Sequence, residues 1–364
     1  MAASSPEPVF VLLLDPAAPA GWEEVAEAVG RLNVGARPVT IGDGWAALSV
    51  GDGIRHVPVE HLRSLPCVER IVGVPDPYCL ASRVVFGSDR AVSIRPAAGR
   101  APGEGIVVGD GAPVLMLAGL PPVRRGTDVK RLAAAIRAAG ATGLHAGEFA
   151  GRSRADGPSA IGPEGLRRTR RAADAEGLFL SVEVSDPREL EMVVPVADVV
   201  QAASRNMQDF SLLRELGRIG LPVLLKRGVG ATVEEFLLAA EYVLTNGNGR
   251  VMLCESGIRT FDPGGRPRFE INAVPLLKRA THLPILADPT QTVVSGRLVP
   301  AVARAAVAAG ADGLVLAVTD GEQPAGDDGS IDVATLRRLV LDVTAIAGAV
   351  GRAPRPEANG SRSP

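Results

Sequence analysis

The chain has 364 residues, with 39 Lys and Arg against 41 Asp and Glu, a net charge of −2 and a pI of about 6.2. This balance argues against a strongly basic nucleic-acid-binding protein and against a polybasic membrane-surface protein. Hydrophobic residues make up 46% of the chain, which is enough for a sizeable core. The length allows one large α/β domain with a small domain beside it.

The cysteines and the N-terminus predict a protein of the cytoplasm. Cys67, Cys79 and Cys254 are scattered and form no CxxC pair, which argues against a disulfide framework and a thiolate zinc site. The first residues, MAASSPEPVF, lack the basic region and long apolar run of a signal peptide. No stretch of ~18 apolar residues free of Gly, Pro and charge predicts a transmembrane helix. We therefore expect neither a membrane nor a nucleic acid as a partner.

Residues 1–80 predict a small ferredoxin-like α+β domain. Apolar runs typical of strands alternate with two helical patterns, GWEEVAEAVGRLN and HVPVEHLRSL, in the order β-α-β-β-α-β. Such a domain either covers the larger one or binds a regulatory ligand, and the sequence leaves both open. Residues 81–112, which contain PAAGRAPGEG, are predicted to be a linker with some strand.

The remainder of the chain predicts a (β/α)8 barrel over residues 113–348. Eight apolar runs alternate with amphipathic helical patterns, the signature of a parallel sheet covered by helices. The runs span 113–119, 143–149, 177–184, 197–204, 222–228, 250–257, 284–290 and 313–320. A doubly wound open sheet is the second choice, but no GxGxxG follows the first run and no GxxxxGK[ST] occurs. Residues 349–364 are rich in Pro, Gly, Ser and Arg and are predicted to be disordered.

Charged side chains cluster where the runs end, which is where a barrel places its active site. They include His145, Glu148, Glu183, Arg205, Lys226, Arg227, Glu255 and Asp288. Lys226 is one of only three lysines and lies inside an apolar strand. A desolvated lysine loses its proton near neutral pH and can act as a base or form an imine. The alternative is a structural ion pair with Glu183 or Glu255.

The remaining candidates have two interpretations each. Arg152 and Arg205 are suited to bidentate binding of a phosphate or carboxylate, or to ordinary salt bridges. His145 is a candidate acid or base, or a hydrogen-bonded structural histidine. No HExxH motif and no pair of histidines at helical spacing supports a metal site.

Long segments of the chain resemble a known family. SRNMQDFSLLRELGRIGLPVLLKRGVGATVEEFLLAAEYVLTNGN, LCESGIRTFD, INAVPLLKRATHLPILADPT and VARAAVAAGADGL are similar to the type I DAHP (3-deoxy-D-arabino-heptulosonate 7-phosphate) synthases with an N-terminal ferredoxin-like domain. The KDO8P synthases belong to the same superfamily. The resemblance covers residues 9 to about 345. It implies a (β/α)8 barrel, often tetrameric, that condenses phosphoenolpyruvate with erythrose 4-phosphate using a divalent metal, with feedback control by aromatic amino acids.

The metal ligands that the resemblance implies are mostly absent. Pro121 stands at the Cys of the family's GPCxVE, and Gln291 stands at the His of its DPSH. Ala317 stands at the Glu of its VEVH, so only the Asp of the SDG stretch survives, as Asp328. One oxygen ligand does not hold a divalent ion. We expect no metal and no other cofactor.

The phosphoenolpyruvate site that the resemblance implies is also altered. The family's LRGGAxKPRTS is here LHAGEFAGRS, which replaces its Arg by His145 and its Lys by Ala150 and keeps Arg152 and Ser153. The Arg of CERGIRT becomes Ser256. The family's Arg and Lys at Arg205 and Lys226 remain, and the acids Glu183, Glu255 and Asp288 also match. Each lost charged hydrogen bond is worth roughly 1.5–3 kcal/mol, so ordinary DAHP synthase activity is not expected.

Three functions follow from these residues. The first is a repurposed enzyme with metal-independent aldol-type chemistry on a small keto acid or sugar phosphate. In it Lys226 forms an imine or acts as base, and Glu183, Glu255 or His145 moves protons. The predicted substrate-binding residues are Arg152, Ser153, Arg205, Arg227, Glu148, Asp288 and Asp328. The second is a non-catalytic partner of a true DAHP synthase, and the third is a DAHP synthase with an unusual site. The family habit implies a homo-oligomer, a dimer or tetramer.

Overall fold

The computed structural model describes most of the chain. The described residues are 9–14, 25, 27, 30–31, 36–41, 45–50, 60, 63–64, 68–95, 105–120, 128–149, 161–261, 266–319 and 329–352. The predicted site residues Arg152, Ser153 and Asp328 lie outside them, as do Ala150 and most of the tail predicted over 349–364.

Eight parallel strands close into a barrel, which confirms the predicted fold. The strands are β7 (Leu115–Gly119), β8 (Gly143–Glu148), β9 (Phe179–Val184), β10 (Val199–Ala202), β11 (Val223–Lys226), β12 (Val251–Glu255), β13 (Ile285–Ala287) and β14 (Gly313–Thr319). Each pairs in parallel with the next, and β14 pairs with both β13 and β7, which closes the ring. A short strand, β15 (Ile331–Asp332), extends β14.

Helices surround the barrel, and within the described residues one follows each strand. They are Val129–Ala138, Gly162–Ala175, Leu190–Val193, Phe210–Leu216, Val233–Thr245, Ala273–Ala280, Val299–Ala308 and Val333–Ala349. Short 3-10 turns span Pro187–Glu189, Ser204–Asn206, Thr290–Thr292 and Gly296–Leu298. The helix at Val233–Thr245 shows why these segments fold locally: Thr232 and Glu235 form a reciprocal capping box at its N-terminus.

A two-stranded antiparallel sheet closes the bottom of the barrel. It consists of β5 (Val92–Ile94) and β6 (Ile106–Val108). Its buried side chains share one apolar cluster with the inward-facing Phe179, Leu224 and Met252. The segment predicted as a linker over 81–112 therefore contributes to the core, and it also contains a helical turn, Arg83–Phe86. The site must lie at the opposite end, where the strands finish.

The N-terminal part forms a separate four-stranded antiparallel sheet. Its strands are β1 (Val9–Leu14), β2 (Ala36–Ile41), β3 (Trp45–Val50) and β4 (Val68–Val74). Their order, β2-β3-β1-β4, agrees with the four strands predicted for a ferredoxin-like domain. The two connecting helices lie largely outside the described residues. The complete ferredoxin-like domain, its boundaries and its regulatory role stay predictions.

The segment after β4 is fastened to the barrel by buried polar groups. The Glu241 carboxylate accepts hydrogen bonds from the backbone N–H groups of Leu80 and Ala81, both at 2.9 Å. His282 Nε2 lies 2.7 Å from the Leu80 carbonyl oxygen.

Cys79 and Cys254 are buried free thiols. No described helix is both long and apolar enough to cross a membrane.

Candidate functional site: the barrel mouth

Strand alternation decides which side chains enter the mouth. Leu224, Phe179 and Leu286 belong to the interior cluster, while the residues that follow each of them pack outward against the helices. Because side chains alternate across a strand, Lys226, two residues after Leu224, points into the barrel. The same periodicity turns Glu183 and Asp288 inward, so the three meet at the carboxyl ends of β9, β11 and β13.

Lys226 lies between two carboxylates. Its Nζ donates to Asp288 Oδ2 at 3.1 Å and lies 3.8 Å from Glu183 Oε2. Burial disfavours the charged amine, but the Asp288 and Glu183 carboxylates outweigh burial and raise the Lys226 pKa above its ordinary value. The expectation of a lysine that loses its proton near neutral pH is therefore wrong for this arrangement. The ion pair is formed with Asp288 and Glu183, not with Glu255.

Asp288 is more buried than Glu183 and has more hydrogen-bond partners. Asp288 is only 1% exposed, and its Oδ1 accepts from the hydroxyl of Thr290 at 2.5 Å and from the Thr290 backbone N–H at 3.2 Å. Its second oxygen receives Lys226. The Glu183 side chain keeps 13% of its surface exposed. Asp288 thus anchors the ammonium, and Glu183 is the more accessible of the two carboxylates.

A β-bulge in β8 brings Glu148 into the same site. His145 pairs with Ser181, but the next paired residue of β8 is Glu148, opposite Glu183. Between these two pairs β8 therefore advances by three residues and β9 by two. Gly147, with a φ of 85°, adopts the left-handed conformation that accommodates the extra residue. The extra residue turns Glu148 inward beside Glu183. Without it, Gly147 would occupy the inward position.

Arg205 bridges these two carboxylates. It comes from the turn Ser204–Asn206 after β10, and its Nη2 donates to Glu148 Oε1. The same nitrogen donates to Ser185 Oγ at 2.8 Å and lies 3.7 Å from Glu183 Oε1, and the Ser185 hydroxyl in turn donates to Glu148 Oε1 at 2.7 Å. Glu148, Arg205, Glu183, Lys226 and Asp288 therefore form a chain of alternating charge, called here the charge chain, with three negative and two positive members.

His145 is neutral beside this chain. Gln201 Nε2 lies 3.1 Å from His145 Nδ1 and donates to Ser181 Oγ at 2.7 Å. Burial, and then the Lys226 ammonium, lower the His145 pKa to about 3. At neutral pH the ring can accept a proton only weakly, so His145 orients neighbours rather than carrying charge.

Arg227 and Glu255 face away from the mouth. Arg227 follows Lys226 directly and so points to the opposite side of β11. Its Nη1 donates to Glu255 Oε2 at 2.8 Å and its Nε donates to the Ala231 carbonyl at 3.0 Å. Glu255 Oε1 accepts from the Gly257 N–H at 2.8 Å, and burial raises the Glu255 pKa. Their predicted catalytic and substrate-binding roles stay untested, and this pair lies apart from the charge chain.

The residues present do not fit the divalent metal that the resemblance implies. Pro121 and Ala317 have no side-chain donor atom, and Gln291 is exposed on the turn Thr290–Thr292. Among the described residues, no group of three or more His, Cys, Asp and Glu is arranged to hold a metal ion.

Sequence reasoning missed the polar residues that organise the mouth. Gln201 stands alone among apolar residues in the run ADVVQAAS, and it is fully buried. A buried amide in a strand must find hydrogen-bond partners, so this residue could have been singled out. Ser185 and Thr290 carried no such signal, because Ser and Thr are common in strand-to-helix turns.

The comparisons with known proteins agree with this architecture. The DAHP synthetase I family matches residues 91–341. The phospho-2-dehydro-3-deoxyheptonate aldolase of Thermotoga maritima is 35% identical over 304 residues, which covers 83% of this chain and 87% of that protein. A 2-dehydro-3-deoxyphosphooctonate aldolase of Koribacter versatilis is 28% identical over 203 residues, 51% of this chain and 72% of the relative. The crystal structure of the Thermotoga maritima DAHP synthase superposes with a TM-score of 0.69 at 32% identity, covering 96% of this chain and 99% of that one.

Proposed function

This chain belongs to the DAHP synthetase I family, and we propose that it is a divergent aldolase-type enzyme of that family. It joins a small keto acid to an aldehyde, such as a sugar phosphate, without a divalent metal. The observation that carries the proposal is the Lys226 ammonium, buried at the mouth and held between Asp288 and Glu183. A buried ionised group with a perturbed pKa is a candidate functional group, and Lys226 lies at the end of a barrel strand, where this fold binds substrates.

The reaction begins with enolisation of the keto acid. Lys226 donates a hydrogen bond to the carbonyl oxygen, where negative charge develops. Glu183 takes the proton from the adjacent carbon, because it is the more exposed of the two carboxylates on Lys226. The enolate carbon then attacks the carbonyl carbon of the aldehyde. The aldehyde oxygen becomes the new hydroxyl by taking the proton that Glu183 holds, so the carboxylate is regenerated.

The anionic end of the substrate is assigned to the loop after β8. Arg152 and Ser153 keep the family pattern there, and an arginine fork is suited to a carboxylate or phosphate. Asp328 contributes a hydrogen-bond acceptor at the same rim in this proposal. These three residues lie outside the described residues, so their assignment rests on the sequence alone.

Imine formation at Lys226 is the competing mechanism. The amine must first lose a proton, and Asp288, which is hydrogen-bonded to Nζ at 3.1 Å, is near enough to receive it. The raised pKa of Lys226 makes this step costly, which favours the ammonium as a hydrogen-bond donor over the amine as a nucleophile. Borohydride separates the two mechanisms, because it reduces only an imine to a stable adduct.

The test measures exchange of the α-protons of a keto-acid panel for deuterium by proton NMR. The proposal expects catalysed exchange for at least one keto acid, loss of that exchange in Lys226→Met, and no borohydride adduct at Lys226. Lys130→Met is the matched control, because Lys130 is exposed on the helix Val129–Ala138 and should leave exchange unchanged.

The non-catalytic alternative has one observation in its favour. Every member of the charge chain already has a partner of opposite charge, as in a structural network. Absence of exchange with every keto acid, together with copurification with another synthase, would replace the proposed enzyme by a binding partner. Borohydride adducts at Lys226 would keep the enzyme and overturn the ammonium mechanism.

A further inference from the structure

We infer that Glu148 is a specificity-determining residue. Its carboxylate accepts a hydrogen bond from the guanidinium of Arg205. This part of the mouth therefore rejects a phosphate or carboxylate and accepts a group that donates hydrogen bonds. The inference rests on the proposed function and assigns the substrate's polarity at one end of the same site. It concerns the subsite bounded by Glu148, Arg205 and Glu183.

The geometry shows that this pairing is built into the strand. The bulge at Gly147 turns the Glu148 side chain into the mouth, opposite Glu183. The Glu148 side chain is then 10% exposed, and it accepts from both Arg205 Nη2 and the Ser185 hydroxyl. The Glu148 carboxylate therefore already binds Nη2, the guanidinium nitrogen that lies next to Glu183.

An anion cannot take Arg205 without cost. Glu148 and Glu183 are cross-strand neighbours, and like charges directly opposite each other destabilise a sheet. Arg205 bridges them, with Nη2 3.7 Å from Glu183 Oε1 and hydrogen-bonded to Glu148. An anion that withdrew the guanidinium would remove the cation that lies between two adjacent carboxylates and would add its own negative charge beside them.

A ligand group that donates hydrogen bonds is favoured at this subsite. The charge chain has three carboxylates and two cations, so its described members carry one excess negative charge. Glu183 Oε1 has Arg205 only at 3.7 Å, longer than a hydrogen bond, and it can accept from a ligand. A ligand hydroxyl or ammonium group can donate a hydrogen bond to Glu183 Oε1 without displacing Arg205. The substrate end that enters here is therefore a polyol or an amine.

The experiment measures the affinity of inorganic phosphate for the full-length protein by calorimetry, with wild type, Glu148→Gln, and Glu148→Gln combined with Arg205→Met. Glu148→Gln keeps the shape and frees Arg205, so phosphate should bind at least about tenfold more tightly than to wild type, as one charged hydrogen bond gained allows. The double variant should lose that gain. Glu215→Gln, which breaks only the exposed pair with Arg218, is the control and should change nothing.

Two results overturn the inference. One is an unchanged phosphate affinity in folded Glu148→Gln, and the other is a gain that persists when Arg205 is removed. If Glu148→Gln does not melt cooperatively, Glu148→Asp serves instead, because it withdraws the carboxylate by one methylene and should give a smaller gain of the same sign. The phosphate measurement needs no turnover. Absence of deuterium exchange would refute the proposed enzyme but not the role of Glu148. An unchanged phosphate affinity would refute the role of Glu148 but not the proposed enzyme.

Discussion

Replacing Asp288 by Asn tests whether the Lys226 ammonium depends on its buried partner. Asn keeps the size of Asp288 and an oxygen for Thr290, but it removes the charge 3.1 Å from Lys226 Nζ. With an effective dielectric constant of about 20, that attraction is about 5 kcal/mol, and 1.36 kcal/mol corresponds to one pKa unit. Glu183 remains at 3.8 Å and compensates part of the loss. We therefore expect the Lys226 pKa to fall by about 2 or more.

The assay is NMR of lysine labelled with ¹³C and ¹⁵N. The chain has only three lysines, so Lys130, Lys226 and Lys278 give separate signals. In wild type the Lys226 signal should not titrate below pH ~10.4, the ordinary lysine value, and in Asp288→Asn it should titrate at lower pH than in wild type. Asp89→Asn is the matched control, because Asp89 accepts from Lys278 Nζ at 2.6 Å and its replacement should leave the Lys226 signal unchanged.

A buried pair that loses one partner costs about 3–5 kcal/mol, so Asp288→Asn should also lower the unfolding free energy measured in urea by roughly that amount. A wild-type Lys226 that titrates below pH ~9, or a Lys226 signal unmoved by Asp288→Asn, would refute the reasoning.

Three further predictions concern stability. Burial is the main cause that lowers the pKa values of His145 and His282 to about 3. Between about pH 6.5 and 3 the unfolded chain therefore binds more protons than the folded protein, and the free energy of unfolding should fall as the pH drops through this range. His282→Gln, which keeps a donor for the Leu80 carbonyl, should make that decline shallower by up to about 1.4 kcal/mol per pH unit, and an unchanged slope in urea melts would contradict this. Glu241→Gln weakens two backbone hydrogen bonds to a carboxylate and should cost roughly 1.5–3 kcal/mol by the same melts, with faster amide exchange at Leu80 and Ala81 as the local readout. Gly329→Ala places a Cβ 2.1 Å from the Thr290 carbonyl oxygen at a φ of 83°, so it should destabilise the protein and disturb Asp288; a wild-type melting temperature would contradict the packing described.

The barrel was predictable because its strands are buried on both faces. Each becomes a short continuous apolar run, and eight such runs alternating with helices leave few other architectures. The inward direction of Lys226 follows from the same alternation, and so does the outward direction of Arg227 beside it. The alternation could also have separated Glu255 from the mouth, because Glu255 lies one residue after the inward Cys254.

The electrostatics of the mouth could not be predicted in the same way. The sign of the Lys226 pKa shift depends on Asp288, which is 62 residues away in the chain and reaches it only through the closed barrel. The inward position of Glu148 depends on the bulge at Gly147, and one glycine before a strand end is an ambiguous signal. Without the bulge, the pairing of Glu148 with Arg205 cannot be anticipated.

We propose that this barrel does not perform the metal-dependent condensation that its family resemblance implies. The most direct measurement is the release of inorganic phosphate from phosphoenolpyruvate and erythrose 4-phosphate, with added Mn²⁺ and with a chelator. Because Pro121 and Ala317 offer no side-chain ligand, we predict that phosphate is released no faster than without protein under both conditions. Phosphate release that requires the protein and stops when the chelator is added would contradict it.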